Sequence, residues 1–442
     1  MWLTQAKNTL NLAVPIILGE VAQMMLGIID SAMVGAVSYK QLAASALVLN
    51  VINIPYVFGI GITISVSQMV SMAHGRRDAK LVSHYLYNGF FICVISAVMI
   101  ALSIEAGKNI LFHLNQDTEV AILALPYLQI MGWSVIPMLL FLALKQFTDG
   151  LEHTKTAMIL SLAALPLNAF LNWLLIYGNW GFPRMELVGA GWGTLITRVV
   201  IFIVLGLIVL YHSTFRRYIA VRSKVWNFRW QTMKDLLNIG IPSSFQITME
   251  AGAFAVSGIL IGTIGAVEQA AHQIALSLAS LTFMVSMGLS QAGSIRTSNS
   301  FGRKDWKTIR SIGKSTLIMA LIYGSLCALT FILLRNQLPY IFNDEKKVVA
   351  MAAYLLLFAA LFQISDSTQS ISAGLLRGIK DVKIPTVFIA IAYWAIGIPV
   401  GYILAFYFKM GAAGIWTGFI TGLTFSAVFL SLRFRKMVRR NQ

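Results

Sequence analysis

The sequence predicts an all-α polytopic membrane protein: twelve transmembrane helices in two six-helix bundles, related by a parallel internal repeat, around a central cleft. Three observations predict it. Hydrophobic residues make up 57% of the 442-residue chain and charged residues only 12%, about half the share of roughly 25% usual in soluble domains. The apolar residues fall in twelve long runs. The second half of the chain repeats the first.

The runs of the first half lie at 10–36, 45–72, 85–104, 120–145, 156–178 and 187–212. Those of the second lie at 237–263, 271–298, 312–334, 347–375, 384–406 and 411–432. An apolar run of about 18 residues or more is long enough to cross a bilayer as a helix. It is too long for a barrel strand of about 10 residues. Three parts follow: a six-helix N-terminal lobe over 1–212, a basic linker over 213–236, and a six-helix C-terminal lobe with a basic tail over 237–442.

The formal net charge of +17 raises the question of nucleic acid. Its distribution answers it. With twelve spans, 24 of the 34 Lys and Arg residues fall on the side that carries both termini and 7 on the other. Lys145, Arg198 and Arg296 lie in or at helices. The positive-inside rule then places both termini in the cytoplasm. The basic stretches 215–229 and 433–440 lie beside lipid headgroups, and no folded basic module for nucleic acid is present. The two cysteines, Cys93 and Cys327, fall in separate helices and form neither a disulfide framework nor a metal motif. The N-terminus lacks the pattern of a cleavable signal.

Sliding the chain by 227 residues sets NLAVP (11–15) on NIGIP (238–242), Gly35 on Gly262, Gly61 on Gly288 and GRRD (75–78) on GRKD (302–305). Over the 69 positions from Leu10 to Asp78, set on Leu237 to Asp305, 13 are identical without a gap. Further on, DGLEHTK (149–155) matches RGIKDVK (377–383). Six spans per copy is an even number, so both copies enter the membrane in the same direction.

Four acids sit inside the runs: Glu20, Asp30, Glu250 and Asp366. A charge at the bilayer centre costs at least about 2.5–3.5 kcal/mol, so such a residue faces a partner or a cavity. None recurs in the other copy at its matched position. Asp30 aligns with Ser257, Glu250 with Gln23, and Asp366 near Met138. Rise along the helices puts Glu250 and Asp366 at similar depth in the second half. Gln246, Thr248, Gln363, Ser365, Ser367 and Thr368 lie beside them in sequence. Two carboxylates among neutral oxygens suit a hard monovalent cation such as Na+, and equally a shared proton. Asp30 reaches the depth of Asn172, which shares a helical face with Asn168; Thr194 on helix 6 could face them. The structural alternative for each group is hydrogen bonding between helices. Met24, Met33, Met249, Phe254, Phe283, Met284 and Met287 read as lipid-facing or core positions that could also line a loose apolar site. Pro15, Pro55, Pro137, Pro166 and Pro242 sit inside helical runs and can kink them.

Pro15 followed by GIIDSAMVG (27–35), PLNAFLNWLLIYG (166–178), MEAGAF (249–254), EQAAHQIA (268–275), GLSQAGSIRTSNSFGRKD (288–305) and SDSTQSISAGLLRGIKDVKIP (365–385) together resemble the multidrug and toxic compound extrusion (MATE) transporters of the bacterial NorM-like type. The resemblance covers almost the whole chain. It implies two lobes and drug efflux coupled to inward Na+ or H+. It further implies an Asp on helix 1 with polar partners on helices 5 and 6, matching Asp30, Asn168, Asn172 and Thr194, and a cation site from acids on helices 7 and 10, matching Glu250 and Asp366. Where some relatives carry an acid on helix 5, this chain has Asn172.

The function expected is therefore a secondary antiporter, monomeric in the bacterial inner membrane, exporting cationic or amphipathic organic compounds. Its partners are small-molecule drugs and the lipid bilayer, with no nucleic acid. No cofactor is expected beyond the coupling Na+ or H+. A lipid-linked oligosaccharide flippase of related architecture is the alternative. It calls for a more cationic cavity, whereas Arg198 reads as the only clearly deep basic residue. An enzyme is disfavoured: no HExxH, serine elbow or phosphate-binding glycine loop occurs, and the six histidines are scattered.

Overall fold

The computed structural model describes residues 2–113, 118–219 and 229–441. Among them are twelve helices long and apolar enough to cross a membrane. In chain order they are α1 Trp2–Gly35, α2 Tyr39–Gly75, α3 Ala79–Ala106, α4 Thr118–Gly150, α5 Thr154–Tyr177 and α6 Glu186–Tyr211. Then come α7 Trp230–Gly262, α8 Ala266–Gly302, α9 Trp306–Leu334, α10 Lys346–Gly378, α11 Lys383–Tyr407 and α12 Ala412–Arg440. The shortest, α5, has 24 residues. It rises about 36 Å at 1.5 Å per residue, enough for a hydrocarbon core of about 30 Å. Of the expected linker 213–236, Ser213–Ile219 is a short helix, 220–228 lie outside the described residues, and α7 has begun by Trp230.

The repeat is visible turn by turn. Arg77 and Lys304 both take left-handed backbone with φ of 59°. Each is followed by an Asp that caps the next helix. Asp78 Oδ1 accepts from the Leu81 amide at 2.9 Å and Asp305 Oδ1 from the Thr308 amide at 3.0 Å, satisfying an N–H that the helix itself cannot. The later pair of matched loops repeats the device, with Glu152 at φ 65° and Lys380 at φ 63°.

The chain divides into two compact units, Leu18–Ser244 and Met1–Ile17 with Phe245–Gln442. The division falls inside α1 and α7, not in the linker. Each cut lies two residues beyond a proline, Pro15 or Pro242, where the missing N–H breaks the helical ladder. In the Leu18–Ser244 unit, α4 is the central helix, packed against α2, α3 and α6. In the other unit its repeat counterpart α10 packs against α8, α9 and α12. These two spans are also the most buried, at 72% and 56%.

Each unit is completed by the helix half it takes from elsewhere in the chain. In the Leu18–Ser244 unit the Ser244 hydroxyl donates to the Phe58 carbonyl at 2.7 Å, and Gly61 faces the Ser244 backbone. In the other unit Arg296 donates to the Gln5 carbonyl at 2.8 Å and the Thr9 hydroxyl at 2.5 Å, while Gly288 faces Ile17.

α11 departs from a regular helix. Ile391–Gly397 and Ile403–Tyr407 are π-helical, on either side of Ile398–Tyr402. Pro399 sits between them; its missing N–H and its ring exclude the ordinary bond to the preceding turn. α11 is held to α12 by small residues at four-residue spacing. Gly397, Gly401 and Ala405 meet Gly414, Gly418 and Gly422 backbone to backbone, the close approach that packs helices where no water drives them together.

Candidate functional site

In the Leu18–Ser244 unit, α1, α5 and α6 bring Asp30, Asn168, Asn172 and Thr194 into one buried cluster. Asn172 donates from Nδ2 to Asp30 Oδ1 at 2.6 Å, and the Thr194 hydroxyl donates to Oδ2 at 2.7 Å. Asn172 also donates to Asn168 Oδ1 at 3.3 Å, and Asn168 to the Thr194 hydroxyl at 3.5 Å. Local sequence explains the fit. The four-residue spacing of Asn168 and Asn172 puts both on one face of α5. Gly189 and Gly193 let α6 approach that face: a side chain at Gly193 would overlap Asn172 Oδ1. Asn172 Oδ1 is itself buried without a partner, an acceptor left open beside the carboxylate.

Two further groups act on Asp30. Arg198 donates to the Ser134 hydroxyl at 2.7 Å, and its charge lies within electrostatic reach of Asp30. Tyr127 is buried within the same reach and shares a hydrogen bond with Ser45.

Glu20 belongs to a separate cluster. Lys145 on α4 donates to Glu20 at 2.7 Å and stands 3.7 Å from Asp149. Lys145 and Asp149 are buried. The expectation that Arg198 alone is deeply basic is corrected by this lysine, and by Arg377 on α10, which is also buried. Lys145 is the last residue of its predicted run 120–145, and Arg377 falls just beyond the run 347–375, where it counts as a loop charge.

In the C-terminal unit, Glu250 on α7 meets α10. Gln369 donates to Glu250 Oε1 at 2.9 Å and Gln246 to the same oxygen at 3.4 Å. Asp366 is buried and lies within electrostatic reach of Glu250. No described side chain donates a hydrogen bond to Asp366, in contrast to Asp30. Tyr393, in the first π-helical stretch of α11, is buried beside both acids. Trp394, next along, donates to the Met249 carbonyl at 3.1 Å. The Arg377 charge also reaches Glu250.

The neutral oxygens flanking Asp366 in sequence point elsewhere. Ser367 pairs with Ser286 at 2.8 Å, Ser365 with Thr424 at 2.8 Å, and Thr368 with its own helix at 2.7 Å. The Thr248 hydroxyl and the Gln363 amide are buried with no hydrogen-bond partner among the described residues. Of the expected neighbours, only Gln246 touches an acid. Gln369, Tyr393 and Tyr127 are absent from the sequence reading. Gln369 is three residues after Asp366 and so on its face, a signal open to inspection. Phe254 packs against the core, edge-on to Phe362 and Tyr393 and tilted against Phe419. Among the described residues no group of three His, Cys, Asp or Glu could hold a metal.

Helical units of long apolar spans with carboxylates buried inside them define a polytopic membrane protein. The MatE family model matches residues 15–174 and 242–403, one copy on each half of the repeat. The chain belongs to this family, the MATE transporters, as a member of the bacterial NorM-like type. It is 34% identical to the probable multidrug resistance protein NorM of Rhizobium meliloti (strain 1021), over 99% of this chain and 95% of that one. It is 32% identical to the multidrug resistance protein MdtK of Edwardsiella ictaluri (strain 93-146), over 99% and 96%. The crystal structure of the eukaryotic MATE transporter AtDTX14 shares the fold with a TM-score of 0.90 at 22% identity, covering 100% of this chain and 98% of that one.

Proposed function

We propose that the protein is a secondary antiporter that exports cationic or amphipathic organic compounds in exchange for inward Na+ or H+. The observation that carries this reading is the Glu250–Asp366 pair: two carboxylates in mutual reach on two membrane spans, one of them without a side-chain hydrogen-bond donor among the described residues. Such a pair gains from a proton or a monovalent cation between its members. The names of the relatives support the export of drugs.

Glu250 and Asp366 hold the coupling ion in this reading, with Gln246 and Gln369 fixing the Glu250 carboxyl. Asp30, held by Asn172 and Thr194 and backed by Asn168, is the second coupling carboxylate or the group that faces the drug. Coupling is a linkage. The ion binds one conformation more tightly, the drug binds another, and neither shifts the balance by more than its own difference in affinity. Each inward charge draws about 2.3 kcal/mol per 100 mV of membrane potential. The protein acts as a monomer in the bacterial inner membrane with both termini cytoplasmic, the orientation that the loop charges favour.

The test is efflux of a cationic dye from sealed vesicles holding the purified protein, with a Na+ gradient or a pH gradient imposed alone. Dye movement driven by either supports antiport and names the ion. No movement under either gradient, or under both together, ends the proposal.

A further inference from the structure

Where α9 begins and α12 ends, the C-terminal unit carries a groove that the ion-coupling reading leaves unused. Arg310, Lys314, Leu317, Ile318 and Leu321 follow one another at three- and four-residue spacing or side by side, so they make a stripe along one face of α9. Phe434, Arg435, Val438 and Arg439 make the facing stripe on α12. The two line a cavity of about 320 Å³. Gly313 permits the approach, because the Phe434 ring occupies the space a side chain there would need. Leu317, Phe434 and Val438 are the buried floor, while Arg310, Lys314, Arg435 and Arg439 are exposed at the mouth.

The charge of the groove is one-sided. Among the described residues four cations line it and no acid does. The acids that border these basic runs are engaged elsewhere. Asp305 caps α9, accepting from the Thr308 amide at 3.0 Å and hydroxyl at 2.6 Å. Asp381 takes a two-pronged contact from Arg433 at 2.6 and 3.1 Å.

We propose that this groove is a binding site for an anionic phospholipid. Its phosphate lies across Lys314, Arg435 and Arg439, and an acyl chain follows Leu317, Ile318 and Leu321. The order along α9 is the order along a lipid: cations in the first turns, then aliphatic side chains about 10–16 Å further into the span at 1.5 Å per residue. Basic pockets between membrane helices take anionic lipid heads, and arginine forks match phosphate oxygens. A run of positive charge that only sets topology needs no apolar floor. A soluble phosphate would leave that floor unused. The proposal is independent of the antiport reading, and its test does not involve transport.

The experiment is lipid retention by the delipidated full-length protein in detergent, read by native mass spectrometry with cardiolipin, phosphatidylglycerol and phosphatidylcholine. The two anionic lipids are retained over phosphatidylcholine. Lys314→Gln/Arg435→Gln/Arg439→Gln lowers their retention about a hundredfold. Leu321→Trp, which keeps every charge and fills the groove, also lowers it, so the result does not hang on one variant folding. Arg76→Gln/Arg77→Gln/Lys80→Gln, an equal charge loss in the other unit, leaves retention unchanged. Equal retention of phosphatidylcholine, an equal loss in that control, or displacement of the lipid by millimolar pyrophosphate overturns the proposal.

Discussion

Ser244 rests its backbone on Gly61, and the same contact is made a second time, 227 residues away in both members, by Ile17 on Gly288. In each case a side chain on the glycine would collide with the residue opposite. Gly61→Val and Gly288→Val are therefore expected to destabilise the protein by about 1–3 kcal/mol each, the usual cost of overpacking. Gly27, with nothing within 4 Å of a built Cβ, is the contrast. Gly27→Ala is expected to be neutral or to stabilise by up to about 1 kcal/mol. Thermal unfolding in detergent separates them, and equal behaviour of all three variants contradicts the packing argument.

Lys145 is buried against Glu20 and Asp149. Removing one member of a buried pair strands the other, at about 3–5 kcal/mol, whereas removing both sides costs far less. Lys145→Met is expected to lower thermal stability strongly. Adding Glu20→Gln and Asp149→Asn to it restores most of the loss. If the triple variant is no better than Lys145→Met, the lysine contributes by its packing and not by its charge.

Asp30→Asn, Glu250→Gln and Asp366→Asn keep shape and remove charge. Each is expected to lower gradient-driven dye efflux about tenfold or more, a loss of some 1.4 kcal/mol or greater in the coupled step. Gln369→Ala frees Glu250 from its shorter hydrogen bond and is expected to shift the ion concentration for half-maximal transport more than the maximal rate. Full activity in all three acid variants rules out these residues as coupling groups.

Hydrogen bonds from Thr308 hold the Asp305 carboxyl below its ordinary value. A carboxyl lowered on folding stabilises the fold above its unfolded pKa of about 4 and loses that contribution as pH falls through the folded value. Asp305→Ala is expected to cost about 0.5–2 kcal/mol near neutrality, the range for a lost cap. The gap between variant and parent closes in acid. A constant gap in unfolding scans down to about pH 3 assigns the effect to something other than the charged cap.

Spans and repeat are legible in the sequence because hydropathy and matched loop residues are local properties. The polar cluster is legible for a similar reason: Asn168 and Asn172 share a face by spacing alone, and depth along α1 points Asp30 toward them. What spacing cannot supply is the partner across helices. Lys145 meets Glu20 only because α4 lies beside α1 in the fold, and hydropathy does not record which helices touch. Tyr393 reaches the two acids from a π-helical stretch, where ordinary helical periodicity assigns the wrong face. The unit boundary is hidden for the same reason. A hydropathy profile marks α1 as one span, although its two halves pack with different parts of the chain.

That exchange of helix halves has a consequence for how the protein is made. A ribosome delivers the chain from its N-terminus, so residues up to Ile17 enter the bilayer before any of Phe245–Gln442, the segment they pack with. The Leu18–Ser244 unit likewise stays open until residues 230–244 arrive. Until the second half is made, the Thr9 and Gln5 oxygens at the start of α1 lack the Arg296 guanidinium that meets them in the finished protein. Chains truncated after α6 are expected to be incomplete as biosynthetic intermediates, ready substrates for membrane proteases, and rescued only when the second half is supplied.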